Sequence, residues 1–340
     1  MRDSRKVRSV PRPLLPFPFG IPARVDNRGE RSASARAFPL KPKHDPARSG
    51  AGTLLASPSR LAALTSLLAD DSPTVLAEVR RALELAGTAS SSALERAARS
   101  DDARVRARAR AILLDRARRI AMRRFLRHAV RPDLDLERAL FLLGRVHAPD
   151  LDPRPYSRAL DAMASEVAKR AAKAGGELER ALVLSDYLGG ELRFGGSRGP
   201  FHHPDNIHLH RAIERRAGVP LTLSAIWVFV GRRAGIRAGF VPLPGHVMVR
   251  LYAGSRSAIV DPFHEGRRRT EAECKSYLQK HGIAVSPGSF REAPDAALLR
   301  RQVGNLVRSA EIRGLPAEAS AMTSLLRALD PRTRAGSLPG

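Results

Sequence analysis

The sequence predicts an α+β fold in which a central helix packs on a small antiparallel sheet, with helical repeats on both flanks. Residues 219–230 are apolar nearly all round, which predicts a buried central helix. Two β-prone segments follow, residues 247–252 and 257–260, joined by the short linker 253–255. Leucine and alanine at helical spacing before and after this core predict the flanking helices.

Length and composition restrict the class of protein. The chain has 340 residues, which favours two or three structural units, and its 43% hydrophobic content is sufficient for buried cores. The single cysteine, Cys274, excludes an internal disulfide framework and a multi-cysteine metal site. No apolar stretch of about eighteen residues is present, so no membrane partner is expected. The basic N-terminus has neither a continuous apolar segment nor a cleavage site, which predicts a cytoplasmic protein without a secretory signal.

The formal net charge of +25 raises the question of a nucleic-acid partner. Residues 1–50 contain twelve Lys and Arg against four Asp and Glu, and the other arginines are scattered along predicted helices. No helix-turn-helix, zinc-finger or aromatic RNA-binding signature accompanies the charge. The pattern therefore favours a solvated basic surface, with weak nonspecific polyanion binding as the remaining alternative.

Four segments are predicted along the chain. Residues 1–60 are rich in Pro, Arg, Ser and Gly without periodicity, which predicts a disordered tail. Residues 61–125 contain paired helices that resemble a HEAT-like repeat, and residues 126–290 contain the α+β core. Residues 291–335 predict a helical hairpin around Gly314 that resembles one tetratricopeptide unit.

Two polar residues at the ends of the predicted strands carry the chemical signal. His246 opens the first strand and Asp261 closes the second, and antiparallel neighbours can bring both side chains to one end of the sheet. A carboxylate that accepts from one imidazole nitrogen fixes the tautomer and leaves the other nitrogen as a base. A nucleophile would be placed at the N-terminus of the central helix, where the helix dipole supports it.

Four ordered motifs resemble the transglutaminase-like superfamily, and in particular its bacterial SirB-type branch. They are Pro-Asp-Asn-Ile from Pro204, Arg-Arg-Ala-Gly-Val-Pro-Leu-Thr-Leu-Ser from Arg215, Pro-Gly-His-Val from Pro244 and Asp-Pro-Phe from Asp261. The corresponding SirB-type pattern is Pro-Arg-Asn-Ser, Arg-Arg-x-Gly-Ile-Pro-Ile-Thr-Leu-Ser, Pro-Gly-His-Phe and Asp-Pro-Phe. The resemblance covers most of the chain after Leu61. It implies a transglutaminase-like core with an upstream helical region and a tetratricopeptide-like end.

The resemblance also implies that His246 and Asp261 take the His and Asp places of a Cys-His-Asp triad. The nucleophile's place is around residues 220–222, where this sequence has no cysteine. Cys274 follows the Asp in a predicted polar helix, so it is expected to be an ordinary, partly buried thiol.

Two functional hypotheses follow from the missing cysteine. The first is a non-catalytic, regulatory scaffold, a pseudoenzyme whose helical flanks bind another protein. The second is a hydrolase or acyltransferase in which Thr222 or Ser224 replaces the cysteine, with His246 as the base. A hydroxyl on an apolar helix is more often structural and donates to a carbonyl one turn back, which favours the first hypothesis.

Three further residues are predicted to line a cleft beside His246. Asn206 is expected to be a helix N-cap or a loop organiser rather than a catalyst. His203 lies in the Gly-, His- and Pro-rich loop before it. Pro220 is expected in the first turn of the central helix.

The histidines at positions 202, 203, 208 and 210 raise the question of a metal site. His208 and His210 are two residues apart and would point about 200° apart on the helix predicted over residues 206–217. The sequence therefore predicts no metal site here, and no cofactor.

Overall fold

The computed structural model describes residues 57–280, 282–286 and 288–330. Most of the predicted disordered tail thus lies outside the described residues. The chain divides into two compact units. One contains residues 152–298, and the other contains residues 57–151 together with residues 299–330.

The helices and strands are numbered in chain order. The helices of the helical unit before residue 152 are α1 (Pro58–Ser66), α2 (Pro73–Leu85), α3 (Ser91–Ala97), α4 (Ala103–Ala129) and α5 (Leu136–His147). They are followed by α6 (Arg154–Ala171), α7 (Glu177–Ser185), α8 (Pro204–Ile207), α9 (Leu209–Arg215), α10 (Pro220–Arg233), α11 (Glu271–Lys280), α12 (Asp295–Ile312) and α13 (Pro316–Ala328). The strands are β1 (Gly195–Gly196), β2 (Ala217–Gly218), β3 (Ala238–Leu243), β4 (His246–Ala253), β5 (Arg256–Asp261) and β6 (Arg267–Arg269). Among the described residues, no helix combines the length and the apolar character needed to cross a bilayer.

Side-chain caps and arginines hold the helical unit together. The Asp102 carboxylate accepts from the backbone N–H groups of Arg104 and Val105, which satisfies two orphan donors at the start of α4. Arg108 of α4 donates to the carbonyls of Leu68 and Asp70 at 2.7 and 2.6 Å. Arginines that donate hydrogen bonds to backbone carbonyls stabilise the fold, so part of the large positive charge is structural.

The other unit is built on a four-stranded antiparallel sheet in the order β3-β4-β5-β6. Leu243 pairs with His246 across the Pro244-Gly245 turn, and Gly245 has a φ of +72°. Proline followed by a residue of positive φ is the signature of a type II turn, which glycine allows. The predicted small antiparallel sheet is confirmed, and the turn sets His246 as the first residue of β4.

The central helix α10 packs on β3 and β4. Every residue from Pro220 to Gly231 is buried, which confirms the predicted buried helix. Trp227 is completely buried, and its indole Nε1 donates to the Ser185 hydroxyl at 3.1 Å. The opposite face of the sheet packs against α11, through Cys274 and Leu278.

Candidate histidine–aspartate site

His246 and Asp261 lie together at one end of the sheet. Nε2 of His246 is 2.9 Å from Oδ1 of Asp261. The two side chains come from adjacent strands, since His246 opens β4 and Asp261 closes β5. Both residues are buried, with exposed fractions of 8% and 1%. The site is therefore shielded from water, which strengthens the interaction between the two groups.

Asp261 binds more than one partner. Its Oδ2 lies 2.6 Å from Nδ1 of His264 and 3.5 Å from a guanidinium nitrogen of Arg269. Burial acts to raise the pKa of Asp261, but the hydrogen bonds and charges of His246 and His264 outweigh it and lower the pKa to about 2. Asp261 is then ionised at neutral pH and only accepts hydrogen bonds. The bonded ring nitrogens therefore carry the hydrogens, which makes Nδ1 the basic nitrogen of neutral His246.

His264 was not among the candidates chosen from the sequence. It ends the short 3₁₀ turn Pro262–His264, which begins directly after Asp261. Proline fixes the backbone at the start of this turn, so the side chain three residues after the aspartate returns to the carboxylate. The sequence Asp-Pro-x-His from Asp261 is the pattern that indicates this contact.

The turn that carries His264 is packed tightly against a π-helical segment, Asp186–Glu191. A Cβ atom on Gly189 of this segment would lie 1.8 Å from the carbonyl oxygen of Glu265. Only a residue without a side chain permits that approach. Gly189 therefore sets how closely residues 261–266 pack against the π-helical segment.

The two candidate hydroxyl nucleophiles are completely buried. The Thr222 hydroxyl donates to the carbonyl of Ile207 at 2.9 Å, and the Ser224 hydroxyl donates to the carbonyl of Val247 at 3.0 Å. The expectation of an acceptor one turn back on the same helix is wrong for both of these bonds, since Ile207 ends α8 and Val247 belongs to β4. A strand-end carbonyl against a buried helix needs a donor, and Ser224 supplies it.

Two of the predicted cleft residues organise the chain around α8. Asn206 donates to the carbonyls of Pro200 and Phe201 at 2.8 and 3.2 Å, and it accepts from Arg215 at 2.7 Å. Its side chain therefore organises the loop before α8. The ring nitrogen Nδ1 of His203 accepts from the backbone N–H of Asp205 at 3.2 Å, so His203 is the N-cap of α8.

The third cleft residue, Pro220, is buried in the first turn of α10. The preceding residue, Val219, donates its backbone N–H to the carbonyl of Asn206 at 2.9 Å. The structure therefore brings Asn206 and the start of the central helix together.

The predicted divergence of His208 and His210 is wrong. The helix predicted over residues 206–217 is interrupted at His208, which has extended backbone angles and separates α8 from α9. The two rings lie side by side with centroids 5.6 Å apart, and both are buried. His210 also contacts the Tyr156 ring edge to face, with centroids 5.8 Å apart.

Aromatic rings surround the His246 imidazole. Phe263 contacts it edge to face at a centroid distance of 5.8 Å, and Tyr277 of α11 lies at 6.2 Å. Phe201 lies 6.1 Å from Phe263 and is 41% exposed. Phe201 and Tyr277 are additional residues of the site that the sequence motifs did not indicate.

Cys274 lies in the core between α11 and the sheet. It is fully buried rather than partly buried as expected, because α11 presents it to the sheet together with Leu278. Its thiol donates to the Met248 sulfur at 3.7 Å. Burial raises the pKa of the Cys274 thiol, which disfavours the thiolate that nucleophilic chemistry needs.

Two imidazoles and one carboxylate are ligand types that zinc and non-haem iron accept. Ligand atoms of His246, Asp261 and His264 lie within 4.8 Å of one another. Both carboxylate oxygens of Asp261, however, already accept from the imidazoles, and the cation Arg269 stands beside one of them. The geometry is that of a hydrogen-bonded cluster around a carboxylate.

Comparison with known proteins gives a family for this unit. Residues 154–304 match the model of the transglutaminase-like superfamily. The UPF0162 proteins of Xylella fastidiosa strains Temecula1 and 9a5c are 27% and 28% identical to the chain over 179 residues, 51% of this chain and 64% of each relative. F-box only protein 21 of Mus musculus is 27% identical over 133 residues, 37% of this chain and 21% of that protein.

The chain thus spans less than two thirds of the UPF0162 proteins and about a fifth of the F-box protein. No solved structure matches it significantly. The family match contains the central helix, the sheet and both members of the His246–Asp261 pair. Residues 154–304 therefore form a transglutaminase-like superfamily domain.

Proposed function

We propose that this protein is a SirB-type transglutaminase-like protein that acts as a non-catalytic, regulatory scaffold for another protein. The burial of both hydroxyl candidates carries the proposal. Thr222 and Ser224 have no exposed surface, and each donates its hydroxyl to a backbone carbonyl. A nucleophile has to reach both the substrate and its base, and neither hydroxyl is available for that.

In this proposal the His246–Asp261 pair is a structural element. It connects the first residue of β4 to the last residue of β5, and through Asp261 it also fixes the turn that ends at His264. A buried carboxylate with several donors is costly to disrupt, because removal of one partner leaves a buried charge unpaired. The pair can therefore persist without any reaction to catalyse.

The surface of the helical unit supports a protein partner. Among the described residues, most large apolar side chains that are at least 38% exposed belong to this unit: Leu67, Leu85, Leu114, Ile120, Val130 and Ile312. Leu85 lies on α2, and Leu114 and Ile120 lie on α4. Ion pairs from Arg80 to Asp115 and from Arg119 to Glu84 join these two helices. We take the apolar side chains on these joined helices as the candidate contact surface for the partner.

The basic surface has a smaller part in the proposal. Arg116 of α4 donates to the Leu83 carbonyl and to the hydroxyls of Ser90 and Ser91, so it serves the packing of the unit. Arg123 and Arg124 are exposed. They supply weak, salt-sensitive polyanion binding at most.

The alternative is a hydrolase or acyltransferase that uses the retained pair. The ionised Asp261 and the basic Nδ1 of His246 favour it, because that arrangement is the base half of a triad. This alternative requires Thr222 or Ser224 to leave its carbonyl acceptor.

Labelling of the purified full-length chain with a fluorophosphonate probe separates the two functions. The scaffold predicts no adduct on Thr222 or Ser224 when the protein is mapped by mass spectrometry. An adduct on either residue that is lost in His246→Gln, and retained in the control His202→Gln, would establish the enzyme instead.

Photo-crosslinking tests the partner surface in cells. A benzophenone amino acid at Leu85 or Ile120 is expected to give a discrete protein adduct, and the same amino acid at the exposed Ala272 of α11 is the control. Absence of an adduct at Leu85 and Ile120, or the same adducts at Ala272, contradicts a partner on these helices.

A further inference from the structure

A cavity of about 540 Å³ that is open to solvent lies within the unit of residues 152–298, apart from the His246–Asp261 pair. It is lined by Arg250 of β4 and by two residues of α11, Glu271 and Lys275. The remaining lining residues, Val285, Ser286, Phe290 and Arg291, come from the segment after α11. Its volume is in the range of cavities that bind small organic molecules.

The charges around the cavity are unbalanced. Arg250, Lys275 and Arg291 supply three positive charges against the single carboxylate of Glu271. In the part of the chain that the structure describes, neither Lys275 nor Arg291 forms a side-chain ion pair. The net charge of the lining is therefore +2, which favours an anion.

Arg250 is the most constrained of the three cations. One of its guanidinium nitrogens donates to the Phe290 carbonyl at 3.2 Å, and the same nitrogen lies 4.0 Å from the Glu271 carboxylate. Its Nε is buried without a hydrogen-bond partner among the described residues. The contacts with the Phe290 carbonyl and Glu271 hold the guanidinium in place, so an anion in the cavity would meet a positioned charge.

We infer that this cavity binds a small organic phosphate. A phosphate dianion matches the net charge of the lining, and arginine holds phosphate oxygens through directed hydrogen bonds. Val285 and Phe290 are the apolar residues of the lining, which the organic part of the ligand would contact. The inference is independent of the proposed scaffold function, because the cavity does not include the His246–Asp261 pair.

Isothermal titration calorimetry of the full-length protein with phenyl phosphate tests the site. Saturable binding is expected, with weaker binding of inorganic phosphate and none of phenol. The double variant Lys275→Met/Arg291→Met removes two exposed cations and is expected to weaken binding of phenyl phosphate at least about tenfold.

The double variant Lys280→Met/Arg256→Met is the matched control, since it removes two exposed positive charges of the same unit that do not line the cavity. It should bind phenyl phosphate as the wild type does. Trp227 fluorescence checks that each variant is folded. The site is refuted if the wild type gives no saturable binding at millimolar phenyl phosphate, or if the control loses as much affinity as Lys275→Met/Arg291→Met.

Discussion

Asp261→Asn measures how much the buried carboxylate stabilises the transglutaminase-like domain. The substitution preserves the shape of the side chain and removes its charge. Asp261 is 1% exposed and is surrounded by His246, His264 and Arg269. After the substitution, these donors face an amide in place of a carboxylate, and the amide can accept at only one of its two polar atoms.

The lowered pKa of Asp261 gives the expected magnitude. One pKa unit corresponds to about 1.4 kcal/mol, so the decrease from 3.8 to about 2 corresponds to roughly 2 to 3 kcal/mol of stabilisation at neutral pH. The amide oxygen of the variant retains one hydrogen bond. The expected loss in free energy of unfolding is therefore about 2 kcal/mol at pH 7.

The pH dependence has a definite sign. The folded state lowers the pKa of Asp261, so the stabilisation is essentially complete above about pH 5 and is lost as the pH falls toward about 2. It should fall to about half of its neutral value near pH 3. The difference between wild type and Asp261→Asn should therefore shrink on acidification.

Urea unfolding followed by tryptophan fluorescence is the assay. Trp227 is the single tryptophan of the sequence and is completely buried in this unit, so it reports on the transglutaminase-like domain. Asp161→Asn is the control, because Asp161 is 63% exposed and pairs with Arg233 at the surface. It should change the free energy of unfolding by less than about 0.5 kcal/mol. An equally small effect of Asp261→Asn at pH 7, or an effect that is the same at pH 7 and pH 3, refutes the reasoning.

Two further predictions concern packing around the site. Gly189→Ala should destabilise the unit by more than about 2 kcal/mol in thermal or urea unfolding, because its Cβ would overlap the Glu265 carbonyl. The control Gly190→Ala places its Cβ in open space and should lower the free energy of unfolding clearly less. Equal losses in the two variants would contradict the close approach at Gly189. Cys274 should react slowly with a thiol reagent such as DTNB in native buffer and completely in urea, because burial hides the thiol and raises its pKa. Rapid native reaction would show that the α11 packing opens.

The elements with strong local patterns were predictable from the sequence. The central helix was predicted over residues 219–230 and is observed as Pro220–Arg233. A helix that is apolar on all sides is stable only inside a protein core, and Pro220 favours the first helical turn. The strands that hold His246 and Asp261 alternate or are continuously apolar between clear turn residues, which made them recognisable.

Elements that depend on tertiary context were not predictable. Strand β3 contains Gly239 and Pro242, which are depleted in strands. It forms because β3 is the edge strand of the sheet, where a proline without an N–H is tolerated. The break in the helix at His208 also depends on tertiary context, because the apolar spacing of residues 206–217 favours one continuous helix.

In the candidate site, too, some residues were predictable from the sequence and others depend on tertiary packing. His246 and Asp261 could be placed from motif order and strand pairing, whereas the ring contacts of Tyr277 and Phe201 depend on how α11 and the loop before α8 pack. His264 could have been predicted from the sequence, because the three-residue turn that begins at Pro262 brings its side chain to Asp261.

The shared carboxylate has a consequence for how such sequences are interpreted. Asp261 binds His246, His264 and Arg269 at once, so replacing it disturbs strand ends and a turn together. Correct folding alone is then a reason to keep this aspartate, so its presence in a sequence does not by itself indicate catalysis.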